Sequence, residues 1–241
     1  MRILIVRHGD PDYSVDSLTP QGRIEAELLS RKLCKMDITA FYTSPLGRAR
    51  HTAEYTLEKM NRTAKVCEWL KEFPPIIDRP DRKGSISWDW YPQDWTKEDC
   101  FYSLEDWGKH PVMQAGKVQE EYERVGAELD KLLAEHGYVR QGRLYRAERA
   151  NEDTLVFFCH FGLECVLLSH LLGISPMLLW HGFCAAPTSV TTLVTEERQK
   201  GFAYFRTSSF GDISHLYAEG KEPSFAARFC ETYDNFEQRH D

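Results

Sequence analysis

Two segments of this chain are apolar at every position: Ile3-Leu4-Ile5-Val6 near the start, and Leu155-Val156-Phe157-Phe158-Cys159 further on. A strand with one wet face alternates apolar and polar residues. An unbroken apolar run of strand length implies burial on both faces, which favours a parallel sheet covered by helices. Helical patterns follow these strands. Thr19 and Pro20 supply N-cap and N1 signals for a helix whose apolar stripe is Ile24, Leu28, Leu29 and Leu33. Ser44 and Pro45 repeat that signal for a helix to about Met60, after a short strand at Phe41-Tyr42-Thr43. Alternating strands and helices predict an α/β fold: a three-layer α/β/α sandwich on a mostly parallel sheet.

Lys65 to Trp69 reads as a further strand, and Val118 to His136 as a helix with Val118, Tyr122, Val125, Leu129 and Leu132 on one face. A hairpin is expected at Tyr138 to Ala147 around Gln141-Gly142. A helix should follow the second apolar strand from Phe161 to Leu172, stopping at Gly173. Val190 to Val194 and Phe202 to Phe205 should pair antiparallel. Between Pro74 and Lys117 the periodicity fails, and this stretch holds Trp88, Trp90, Trp95 and Trp107 of the chain's 6 Trp. A loop that long and that aromatic predicts an inserted lid or cap, residues 74–117, within a single domain of residues 1–241.

Composition narrows the class. With 241 residues, 42% hydrophobic and 28% charged, the chain can build a full core, and the net charge of −7 argues against sequence-independent nucleic-acid binding. No apolar run reaches the ~20 residues that span a bilayer. The 7 Cys form no CxxC pair and are read as reduced thiols, so the expected location is the cytoplasm.

The chemistry concentrates after the apolar strands. Arg7-His8-Gly9 follows the first, and Cys159-His160-Phe161-Gly162 closes the second and opens a helix. Ligands of open α/β sheets bind at the carboxyl ends of strands, and a helix N-terminus attracts anions. Arg48 lies in the first turn of its helix, while Arg50 is about 200° further around it, so only one of them faces a shared pocket. Two Arg and two His converging suit a phosphoryl dianion. A neutral imidazole nitrogen of His8 would attack phosphorus, and the Arg side chains would stabilise charge on its oxygens.

These motifs resemble the histidine phosphatase superfamily, in its phosphoglycerate mutase-like branch. The resemblance runs through Arg7-His8-Gly9, Leu18-Thr19-Pro20-Gln21-Gly22, Ser44-Pro45-Leu46-Gly47-Arg48-Ala49, Cys159-His160-Phe161-Gly162, Thr188-Ser189-Val190 and Asp212-Ile213-Ser214-His215-Leu216. It implies a phosphoglycerate mutase-like fold, His8 as nucleophile, and Arg7, Arg48 and His160 as the phosphoryl holders, with the backbone at Phe161 beside them. Leu70-Lys71-Glu72 falls at the family's acidic segment, so Glu72 is implied as proton donor, with Asp89 of the insertion as the alternative. The family's Phe-Gly-Trp-Glu-Gly run is absent after Glu72, and Phe161 stands where many members have Gly. The mutases' Arg-rich and His-Gly-Asn-Ser segments are also missing, which favours a phosphatase over a mutase.

The resulting expectation is a phosphomonoester hydrolase needing no metal and no cofactor, acting on a small phosphorylated metabolite. Nucleic acid and membrane are not expected partners, and a homodimer is allowed. Trp88, Trp90 and His181 are candidate substrate contacts. Two rival readings are a metallohydrolase built on His160, Glu164 and His170, and a phosphate-binding module without turnover. His51, His110, His136, His170, His215 and His240 are expected to be structural or exposed.

Overall fold

The computed structural model describes residues 1–224; Cys230 and His240 lie outside them. In chain order the elements are β1 (Arg2–Arg7), β2 (Pro11–Asp12), β3 (Ser17–Leu18), α1 (Pro20–Leu33), β4 (Ala40–Thr43), α2 (Gly47–Met60), β5 (Lys65–Val66), β6 (Ile76–Ile77), β7 (Ser85–Ile86), α3 (Pro92–Trp95), α4 (Pro111–Ala115) and α5 (Val118–Glu135). Then come β8 (Tyr138–Gln141), β9 (Leu144–Ala147), β10 (Thr154–Cys159), α6 (Phe161–Leu172), α7 (Pro176–Gly182), β11 (Val190–Gln199), β12 (Phe202–Asp212) and α8 (Ser214–Tyr217).

One sheet of 8 strands, ordered β5-β4-β10-β1-β11-β12-β9-β8, organises the molecule. The sheet is mixed, which corrects the expectation of a mostly parallel one. Strands β5, β4, β10 and β1 run parallel, whereas β11, β12, β9 and β8 pair antiparallel. The two all-apolar strands sit side by side in the parallel half, covered on both faces as their composition demands. Ile3, Ile5, Leu155 and Phe157 point into a core shared with α5 and α6. Leu4, Val6, Val156 and Phe158 point the other way, onto Leu29 and Leu33 of α1 and Ala53 of α2. Each such side chain contributes roughly 1.5–3 kcal/mol on burial, which fixes this central pair.

Local readings hold in most places, with four corrections. Helix α1 is capped by Thr19, whose hydroxyl accepts from the Gly22 N–H, but Ile24 is exposed instead of joining the stripe. Helix α2 starts at Gly47 with Leu46 as N-cap, so Ser44-Pro45 precedes it. Lys65 to Trp69 gives only two strand residues before a 3₁₀ turn, Glu68–Leu70, that buries Trp69 and Leu70. The final pair, β11 and β12, extends well past the apolar positions, because cross-strand pairing carries on into polar, half-exposed sequence.

Residues 74–117 contain the two-residue ladder β6/β7, the short helices α3 and α4, and 3₁₀ turns at Asp99–Tyr102 and Trp107–Lys109. Trp90, Phe101, Trp107 and Met113 are buried in the same apolar cluster as the α5 and α6 face of the sheet.

Candidate active site

Strand register builds the site. Arg7 of β1 pairs with Cys159 of β10, and Phe158 pairs with Thr43 of β4. The next residues, His8, His160 and Ser44, therefore emerge together at the carboxyl ends of three adjacent parallel strands. The His8 N–H donates to the Cys159 carbonyl at 3.0 Å, and the Thr188 N–H donates to the His8 carbonyl at 3.2 Å. Thr188 holds a left-handed φ of 59°, a costly conformation for a β-branched residue that the surrounding contacts sustain.

His8 is 2% exposed, and its Nδ1 lies 2.8 Å from the Gly9 carbonyl. A carbonyl only accepts, so Nδ1 carries the proton and Nε2 keeps its lone pair. Burial, and then the charges of Arg7 and Arg48, hold the imidazole well below its usual pKa. His8 is thus a neutral imidazole of defined tautomer. The His160 ring lies 5.1 Å from it, centroid to centroid. His160 is fully buried, its Nε2 is 2.8 Å from the Ser44 hydroxyl, and its Nδ1 meets no partner among the described residues. Burial, with His8 and both arginines, also pushes His160 well down. His160 is therefore a neutral hydrogen-bonding group.

Arg7 donates through Nη1 to the Ala185 carbonyl, and its guanidinium lies 5.8 Å from the Phe161 ring centre. Arg48 is largely buried and bonds Asp16, whereas Arg50 is exposed. Glu72 completes the group. Its Oε1 accepts from the Phe73 N–H at 2.8 Å and the Leu163 N–H at 3.0 Å, which ties it to the start of α6. A Cβ on Gly162 would come within 2.8 Å of that oxygen and 2.7 Å of the Trp88 ring, so glycine is what lets both approach. Burial raises the Glu72 pKa against the opposing pull of two N–H bonds and both arginines, the direction a proton donor needs.

The histidine phosphatase superfamily (branch 1) family model matches residues 3–207. The chain belongs to that family. It is 36% identical over 222 residues to the Caenorhabditis elegans protein named serine/threonine-protein phosphatase Pgam5, mitochondrial, covering 89% of this chain and 63% of that protein. It is 28% identical over 145 residues to a putative phosphoserine phosphatase 2 of Hydrogenobacter thermophilus, covering 56% of this chain and 68% of that protein. The fold resembles an Entamoeba histolytica phosphoserine phosphatase variant solved with phosphoserine, at a TM-score of 0.61 and 20% identity, covering 89% and 98% of the two chains. A mycobacterial glucosyl-3-phosphoglycerate phosphatase solved with vanadate gives a TM-score of 0.57 at 20% identity, covering 87% and 98%.

Within this member of the superfamily, the substrate-contact candidates read from the sequence divide. Trp88 reaches the site: its ring packs edge-on to Phe161 at 6.3 Å and its Nε1 donates to the Phe73 carbonyl. Trp90 is corrected to a packing residue, buried against Phe101 with Nε1 donating to the Ser87 carbonyl. His181 is corrected likewise. Its Nδ1 is 2.7 Å from the Met177 carbonyl, its Nε2 accepts the Trp90 N–H at 3.0 Å, and its ring stacks on Trp95. Both nitrogens are spent, and burial drives its pKa to about 4. Asp89 faces Arg79 at 3.7 Å with a 55% exposed side chain, so Glu72 is the carboxyl the fold ties to the start of α6.

The metal reading fails on geometry. His160 engages Ser44, while His170 meets Asp130 at 3.0 Å and packs near Tyr122. Among the described residues no group of three or more ligating side chains converges. Glu164 is instead a buried carboxyl in the first turn of α6. Burial, opposed by the Thr191 hydroxyl and the Arg7 charge, raises its pKa to about 7. Sequence reasoning placed Ser44 as a cap and gave Asp16 no role; neither residue's spatial partner, 116 and 32 positions away, leaves a local signal.

Proposed function

We propose that this histidine phosphatase cleaves phosphomonoesters through a phosphohistidine on His8, without a metal. The observation that carries this reading is the neutral His8 ring, with Nδ1–H held by Gly9 and Nε2 unprotonated, set beside His160 and flanked by Arg7 and Arg48. In the first step the Nε2 lone pair forms a bond to phosphorus as the ester P–O bond breaks, and protonated Glu72 gives its proton to the leaving oxygen. In the second, water attacks phosphorus, the P–N bond breaks, and the Glu72 carboxylate takes the water's proton. Arg7, Arg48 and the His160 N–H would stabilise the spreading charge, a task two built-in cations can perform without a metal.

The names of the relatives supply candidate substrates: protein phosphoserine or phosphothreonine, and small phosphorylated metabolites such as phosphoserine. The protein named Pgam5 is longer, since this chain spans 63% of it, and is named mitochondrial. No helix among the described residues is long and apolar enough to cross a membrane. Residues 74–117 are proposed as a cap that shapes access to the site through Trp88. Hydrolysis of p-nitrophenyl phosphate tests the reading. Turnover should survive EDTA, fall with vanadate, and leave acid-labile, base-stable label on His8. Sensitivity to EDTA would establish a metal enzyme, and no turnover of any phosphoester would leave a binding module.

A further inference from the structure

The turn between β2 and β3 lies against Arg48 from two directions. Asp16 Oδ1 accepts from Arg48 Nη1 at 2.6 Å, and its Oδ2 accepts from the Gly47 N–H at 2.6 Å. Across the face of the same guanidinium, the Tyr13 ring centre is 5.4 Å from Arg48 Cζ. Arg48 Nε is buried and has no acceptor among the described residues. One corner of the planar fork is thus fixed in its plane, one face is covered, and the Nε edge is left for another acceptor. Tyr13 is 66% exposed and also falls within electrostatic reach of Arg7, which sets it at the rim of the two-arginine pocket.

The chain is built for this approach. Asp16 takes a left-handed φ of 47°. A Cβ on Gly47 would sit 2.0 Å from the Asp16 carbonyl oxygen, so only glycine lets the turn lie on α2. Leu46 offers α2 no side-chain cap, and Asp16 serves in its place from another element. Partial burial pushes the Asp16 carboxyl up, but the Gly47 and Arg48 bonds outweigh it and hold the group below its usual range. It remains a carboxylate across neutral pH.

We propose that the Tyr13–Asp16 turn positions Arg48 for phosphoryl transfer, Asp16 gripping the guanidinium edge-on and Tyr13 covering its face. The proposal rests on the phosphatase reading above and adds two positioning residues to it. A carboxylate beside a phosphate-binding arginine weakens ground-state anion binding, so it is useful only if it holds the guanidinium where the transition state needs it.

Asp16→Asn separates the two duties, because an amide oxygen still caps Gly47 while the charged grip on Arg48 is lost. With p-nitrophenyl phosphate, kcat should fall about 10-fold or more, with KM unchanged or lower and the urea midpoint near wild type. Inorganic phosphate, measured by calorimetry, should bind at least as tightly as to wild type. Asp16→Glu should recover part of kcat, Tyr13→Phe should match wild type, and Tyr13→Ala should lower kcat at constant pH optimum. Wild-type kcat in Asp16→Asn overturns the proposal, as does a loss that tracks a lower urea midpoint. Inert wild-type enzyme overturns the phosphatase reading itself, a separate outcome.

Discussion

The strand-end pocket is built on His and Arg and the 74–117 segment on Trp, and the two handle polar atoms differently. In the segment and on the α7 helix beside it, most of these groups are consumed by the protein. Trp88 and Trp90 donate to carbonyls, Arg79 is paired with Asp81 and Asp89, and on α7 both His181 nitrogens are bonded. Arg79 Nε and Ser87 Oγ are the buried exceptions. In the pocket some are held back: His160 Nδ1 and Arg48 Nε are buried without partners among the described residues. Unsatisfied buried polar atoms cost stability. The difference teaches that residue type alone does not mark a site; unspent hydrogen-bonding capacity converging beside the strand-end histidines does, because a ligand has to spend it.

The largest expected effect lies at the nucleophile. His8→Ala should lower phosphoester turnover by about 10⁴-fold or more with an unchanged circular dichroism spectrum; near-wild-type turnover would remove the pocket's side of the contrast. In the 74–117 segment, Trp90→Ala should cost about 3–5 kcal/mol of stability in urea unfolding, as large-to-small core changes do. Its kcat, measured well below the unfolding midpoint, should stay near wild type. A selective loss of kcat in stable Trp90→Ala would move the 74–117 segment into the chemistry.

Glu164 sharpens the contrast through pH. Its pKa rises from 4.5 to about 7 on folding, so the folded state binds the extra proton between those values. Stability is then lost as pH rises through that window, by roughly 3 kcal/mol once the group is ionised. Glu164→Gln should therefore be about that much more stable than wild type at pH 8 and nearly equal at pH 4. Glu25 is raised to the same region and accepts from the Asp10 and Ser224 N–H groups, so part of the slope should survive. An unchanged slope in Glu164→Gln would show that its carboxyl is solvated.

The smallest effect compares neighbours on α2. Arg48→Ala should lower kcat/KM by about 10²-fold, while Arg50→Ala, on the exposed face, should change it less than about 3-fold. Equal losses would contradict the assignment of a single inward-facing arginine.

Local chemistry carried much of this reading. Strand-length apolar runs closed by Gly or polar residues read as strands buried on both faces, so β1 and β10 and the histidines that follow them were legible at once. Helix α1 and its Thr19 cap, helix α5, the turn at Gln141-Gly142 and the stop at Gly173 depend on residues within a few positions, and they also appeared as read. The ordered motifs made the family visible, and with it Arg7, Arg48, His160 and Glu72.

What depends on distant partners was decided by the tertiary structure. The antiparallel half of the sheet follows from which strands β11 and β9 meet, and β11 pairs along β1 from a long way down the chain. Ser44 looks like a cap until β4 is laid beside β10, when its hydroxyl finds His160. Asp16 looks like any turn residue until Gly47 lets it reach Arg48. His181 looks like a pocket residue until Trp90 and Met177 take both its nitrogens. A sequence fixes which groups a chain has and the local structure of its neighbours. Which groups are used up in holding the fold, and which are left for a ligand, is settled only when segments far apart are brought within hydrogen-bonding distance.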